Sequence, residues 1–172
     1  MSPIEILLRQ TEDAYGWVNK LLTSVPKEHW DDITPNVDTN VTWQAGHLIM
    51  SFYFHSIMVI RGHQMDLLQK IPVQEYDSYF TVAEPVQSVG KTNPETLESH
   101  LALMQEKSLE VIRSLSVAEL DDALEPTKTP HPIAKTKYEA LDWNIKHTMW
   151  HCGQLGIIKR ALHGRYDFGL NR

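Results

Sequence analysis

The chain has 172 residues, with 16 Lys and Arg against 22 Asp and Glu for a formal charge of −6, and 42% of it is apolar. That is the length of about one domain, and a core burying about 70% of the unfolded chain's surface excludes a disordered protein. The acidic balance excludes the basic patch of a nucleic-acid or membrane-surface protein, and a single cysteine, Cys152, excludes an intrachain disulfide.

The first residues, Met1 to Ile6, hold no basic stretch leading into an apolar run, so cytoplasmic residence is expected. From Ile4 to about Thr23 the seam Ile4, Leu7, Thr11, Ala14, Val18, Leu21, Val25 alternates spacings of three and four. That is the stripe of a bundle helix, which Pro26 closes. A second helix is predicted from about Val41 to Arg61, entered through Thr39 or Asn40 as N-cap and apolar on most faces, hence the most buried. Its most apolar window, Leu48 to Ile60, is too short for a bilayer, which needs ~20 residues.

The connections 26–40 and 63–92 are longer than a minimal bundle needs, and loops beyond ~15 residues usually carry function or cover something. A third helix opens at Asn93-Pro94-Glu95 and carries the seam Leu97, Leu101, Met104, Ser108, Val111, Leu115. Ser116 to Glu119 has the spacing of a capping box for a short helix. A second box, Thr136 to Glu139, opens a last helix that runs to His163 and stops at Gly164. Four amphipathic helices of roughly 30 to 42 Å and no strand pattern predict one all-α domain over 1–172, an antiparallel four-helix bundle with long crossover loops.

Nine histidines are the one compositional excess. On the last helix the core stripe reads Leu141, Asn144, Thr148, His151, Leu155, Ile158, Leu162, apolar in its lower half and polar in its middle. His147 and His151 stand one turn apart on one face, and Gln154 extends it. Burying such groups unpaired costs a few kcal/mol each, so a partner is required. Two histidines at i and i+4 aim both rings at one point, a common arrangement for zinc and nickel.

His47 is the best third ligand, one turn into the apolar helix beside Gly46 and near Trp43. Glycine there costs about 1 kcal/mol, so something is expected to approach the backbone closely. His55 is the alternative ligand, though it reads more readily as a hydrogen-bonded core histidine. His29, His63, His100, His131 and His163 read as solvated, Cys152 as a small buried hydrophobe, and the five tryptophans as packing residues. The last helix lacks the glutamate of an HExxH motif, so peptidase chemistry has no built-in base.

Thr42-Trp43-Gln44-Ala45-Gly46-His47-Leu48, followed by His147-x-x-x-His151-x-Gly153-Gln154-Leu155, resembles the DinB-like superfamily, and the likeness covers nearly the whole chain. The resemblance implies an antiparallel four-helix bundle with a long crossover, assembled as a homodimer. It implies a divalent metal, usually nickel or zinc, on the positions of His47, His147 and His151. Some relatives are thiol-dependent enzymes, the bacillithiol transferases and the mycothiol-dependent maleylpyruvate isomerase. A metal-dependent thiol transferase is therefore one expectation, with Gln154 positioning substrate or water and a low-molecular-weight thiol as cosubstrate. A metal-dependent hydrolase, or a non-enzymatic dimeric helical module with a structural or vestigial metal site, is the alternative. A small-molecule partner is expected, with neither nucleic acid nor membrane.

Overall fold

The computed structural model describes residues 1–35 and 37–169. Its first half runs α1 (Pro3–Thr23), a 3-10 turn (Lys27–His29), α2 (Val41–Phe52), a π-helical segment (Tyr53–Met58) and α3 (Val59–Arg61). The crossover holds α4 (Met65–Leu68), α5 (Val73–Asp77), a second π-helical segment (Ser78–Val82) and a 3-10 turn (Pro85–Ser88). Then come α6 (Pro94–Arg113), a 3-10 turn (Ala118–Asp121) and α7 (Lys137–His163). No strand forms among the described residues; extended pairing is limited to isolated bridges at Thr34–Thr39 and Ala123–Thr136.

Side-chain chemistry at the helix ends sets where they start. Asn40 caps α2 through the Trp43 N–H at 2.7 Å, and Asn93 caps α6 through the Thr96 N–H at 2.8 Å. Thr136 and Glu139 form the reciprocal box expected for α7, and Gly164 stops it at φ 76°. Ser2 and Glu5 form a further box at the head of α1.

The four long helices close a bundle in which α1 packs on α6 and α7, and α2 packs on the same two. Asn19 meets Gln105 and Glu12 meets Arg113, so α1 and α6 run antiparallel. Gln44 meets Gln154 and Ser51 meets His147, so α2 and α7 do too. Arg61, at the end of α3, reaches Ser114 at the end of α6, which sets α2 and α6 parallel. Parallel neighbours need a connection that returns along the bundle, and this is why the 62–93 crossover is long.

That crossover is largely helical rather than a loop, and it buries Leu67, Ile71, Tyr76 and Phe80 in the core. The predicted second helix is likewise divided by the π-helical segment, and it is densely buried as expected. Among the tryptophans, Trp30 is buried and bonded to the Val25 carbonyl, whereas Trp150 is 61% exposed and is no core residue. No helix of the described chain is long and apolar enough to cross a membrane.

Candidate metal centre

Because α2 and α7 run antiparallel, the stripe Gln44, His47, Ser51 faces Gln154, His151, His147 in reverse order. The rings of His47, His147 and His151 converge, with centroids 4.6 to 5.5 Å apart. One ring nitrogen from each lies within 4.8 Å of the others, and these three form the group without a fourth histidine, cysteine or carboxylate among the described residues. His147 Nε2 and His151 Nε2 are 3.2 Å apart. A tetrahedral ion with metal–nitrogen bonds of about 2.0–2.1 Å separates its ligand nitrogens by about 3.3–3.4 Å.

Each ring is fixed from behind. His47 Nδ1 lies 2.7 Å from the Phe80 carbonyl, which only accepts, so His47 donates from Nδ1. His151 Nδ1 lies 2.6 Å from Gln44 Oε1 and donates to it, while Gln44 Nε2 donates to Thr39 Oγ1 and Gln154 Oε1. Both rings therefore present the lone pair of Nε2 inward. His147 Nδ1 pairs with the Ser51 hydroxyl at 2.8 Å, which is able to donate or accept. Because the Ser51 hydroxyl can donate or accept, His147 can either donate from Nε2 to the His151 lone pair across the 3.2 Å gap or turn its own Nε2 lone pair inward beside it. The second tautomer offers a cation both nitrogens. The donor set and its outer partners thus fit a divalent metal.

Burial keeps the rings neutral, as ligation requires. It pushes His151 down to about 3 and His147 to about 4, with each ring's neighbouring imidazoles adding to the effect. His47 is also lowered by burial, against the opposing pull of the Phe80 carbonyl.

The close approach expected at Gly46 is the Phe80 ring, into which a Cβ at Gly46 would project. Pro85, five residues after Phe80, has no N–H, and the Glu84 N–H is taken by Gln87, so the Phe80 carbonyl is free for His47. Trp43 stacks on His47 at 4.6 Å and 12° and donates its indole N–H to the Ala83 carbonyl. It therefore fixes the His47 ring rather than only filling the core.

The 146-residue stretch 10–155 matches the family model of the DinB superfamily. The chain belongs to the DinB superfamily. The three histidines and Gln154 all fall inside the DinB match. A crystal structure of a conserved protein from Enterococcus faecalis shares the fold, with a TM-score of 0.72 at 16% identity over 96% of this chain and 99% of that one. No curated protein matches the sequence.

His55 lies outside the three-histidine group. It is a buried histidine whose Nδ1 lies 2.8 Å from His131 Nε2, as its core reading anticipated. Cys152 is buried, its thiol pushed up to about 12 by burial and by Asp13, which suits a packing residue. Four of the five histidines expected to be solvated have side-chain partners. His29 pairs locally with Asp32 at 2.7 Å, His63 stays exposed as expected, and the remaining partners lie farther along the chain. His131 bonds His55, His63 bonds the Tyr53 hydroxyl at 2.6 Å, and His100 bonds the Tyr76 hydroxyl at 2.8 Å. Each spends its polarity on a neighbouring element, which the local sequence does not display. Gln44, Ser51 and the Phe80 carbonyl were not foreseen as outer partners.

Proposed function

We propose that this DinB protein holds one divalent ion, nickel or zinc, on the Nε2 atoms of His47, His147 and His151, and is a metal-dependent thiol transferase. The observation that carries the metal is the inward Nε2 of His47 and His151, each fixed by an acceptor on Nδ1. Such an ion, ligated by three neutral imidazoles, lowers the pKa of a thiol that binds it and so supplies a thiolate at neutral pH. His47 and His151 hold their Nδ1 protons on Phe80 and Gln44, while Ser51 lets His147 adopt the matching tautomer. Gln154, held by Gln44, stands one turn beyond His151 to orient the thiol or a water. The absence of a fourth His, Cys, Asp or Glu from the group favours an open catalytic position over a closed structural site.

A homodimer fits the exposed Met149, Trp150 and Ile157 on α7, and the single cysteine fits residence in a reducing cytoplasm. One continuous core of buried residues fits a single domain.

The test is element-resolved metal analysis of the protein purified without chelator. One equivalent of nickel or zinc is expected in the wild type and almost none in His151→Ala or His47→Ala. Equal metal content in all three proteins would refute the site. For the thiol, the cobalt-loaded protein is titrated with a low-molecular-weight thiol, and a new sulfur-to-metal absorption band in the near ultraviolet is expected. No spectral change at millimolar thiol would leave the metal site standing and remove the transferase reading.

A further inference from the structure

Half a turn around α7 from the histidines, an open cavity of about 450 Å3 lies between α7, Trp17 of α1 and residues 165–168. Its size falls within the roughly 300–1,000 Å3 of small-molecule sites. Gly153 and Gly156 form part of its α7 wall, and a Cβ built on either meets nothing within 4 Å. A glycine inside a helix costs about 1 kcal/mol relative to alanine, and no packed neighbour requires one here. What the two missing side chains create is the depth of the cavity.

The other walls are aromatic and cationic. Phe168 packs against Trp17 at 5.8 Å, which holds residues 165–168 beside the cavity. Arg160 and Arg165 line the cavity, and among the described residues neither takes part in an ion pair. The Lys20 amino group sits 4.6 Å over the Trp17 ring. Among the described residues the cations that line the cavity are Arg160 and Arg165; the carboxylates beside it are Asp13, whose charge reaches the Cys152 thiol, and Asp167, which accepts from the Gly169 N–H.

We propose that this cavity is a second ligand site, separate from the metal centre, that binds a small aromatic carboxylate. The ring lies against Trp17 and Phe168 over the two glycines, and the carboxylate is taken by Arg160 and Arg165 in bidentate hydrogen bonds.

The experiment is isothermal titration calorimetry of the full chain with 2-naphthoate and with its neutral counterpart, 2-naphthamide. Saturable 1:1 binding of the naphthoate is expected, with the amide at least tenfold weaker. Arg165→Met combined with Arg160→Met should bring the naphthoate to the level of the amide. Gly156→Leu and, separately, Gly153→Leu should fill the cavity and abolish binding of both probes, with helical circular dichroism and metal content unchanged.

The proposal is overturned by absent or non-saturable naphthoate binding, by equal affinity for the amide, or by wild-type affinity in both leucine variants. It is also overturned if sedimentation shows a dimer that Gly156→Leu dissociates while the wild type binds no naphthoate, since a second copy would then occupy the cavity. If neither leucine variant folds, the double arginine variant decides on its own.

Discussion

Gln44 is the residue on which the centre's outer shell converges, and its replacement separates packing from hydrogen bonding. It is fully buried, accepts from His151 Nδ1 at 2.6 Å, and donates to Thr39 Oγ1 at 3.1 Å and Gln154 Oε1 at 2.8 Å. Gln44→Leu keeps the volume and removes all three bonds. The His151 N–H is left buried without an acceptor, which costs about 1–3 kcal/mol in the metal-free protein. For a chain of this size that lowers the melting temperature by about 3–9 °C. Loss of an outer partner weakens metal binding about 10- to 100-fold, or about 1.4–2.7 kcal/mol. Gln44→Glu is the discriminating companion. Its carboxylate accepts the His151 proton, and Gln154 satisfies it by turning its amide to donate, so metal binding should equal or exceed that of the wild type. Competition against a chromophoric chelator measures both, with thermal melts in chelator reporting the metal-free state. Wild-type metal affinity in folded Gln44→Leu, or equal losses in the two variants, would refute the argument that the acceptor on Nδ1 matters.

Four further outcomes follow from the same geometry. His151 and His55 are pushed down to about 3 by burial, with neighbouring imidazoles adding to the shift, from an unfolded value near 6.5. The unfolded chain therefore binds more protons below pH 6.5, and the metal-free protein should lose about 1.4 kcal/mol per pH unit for each as pH falls from 6.5 toward 3. Melts across pH 4 to 8 check this, and a flat profile would contradict it. Gly46→Ala should cost about 1–3 kcal/mol by displacing the Phe80 ring, and should weaken metal binding because the Phe80 carbonyl moves from His47; calorimetry and chelator competition read the two effects. Cys152 should resist iodoacetamide in the native protein at pH 8 and react on unfolding, while Cys152→Ala keeps its metal; labelling followed by mass spectrometry would expose the opposite. Removing the metal should lower the melting temperature yet leave the helical circular dichroism intact, whereas an unfolded metal-free chain would show that the ion builds the site.

The helices were legible because their signals are local. Asn93-Pro94 and the Thr136 box each start a helix where the sequence places it, and Gly164 ends α7 at the predicted residue. The break at His147 and His151 was legible as polarity inside an apolar seam. The same reasoning applied to α2 exposes its partner, since Gln44, His47 and Ser51 recur at three and four on an otherwise apolar helix. The rest depends on contacts far apart in sequence. Phe80 contributes a backbone carbonyl, which leaves no mark in side-chain chemistry, and only Gly46 hinted that a neighbour came close. The two π-helical segments have no periodicity of their own, and His131 meets His55 across 76 residues.

The facing stripes also fix how α2 and α7 dock. Sliding one helix by a turn, about 5.4 Å, would set Gln44 against Leu155 or Ile158 and take it from both of its α7 partners. The bonds Gln44–His151, Gln44–Gln154 and Ser51–His147 would all be lost in the buried interior, at about 1–3 kcal/mol for each group left unpaired. Against a net stability of about 5–15 kcal/mol, the loss at the buried Gln44 alone disfavours the slipped packing. The residues that hold the imidazoles in place are therefore the ones that select the register.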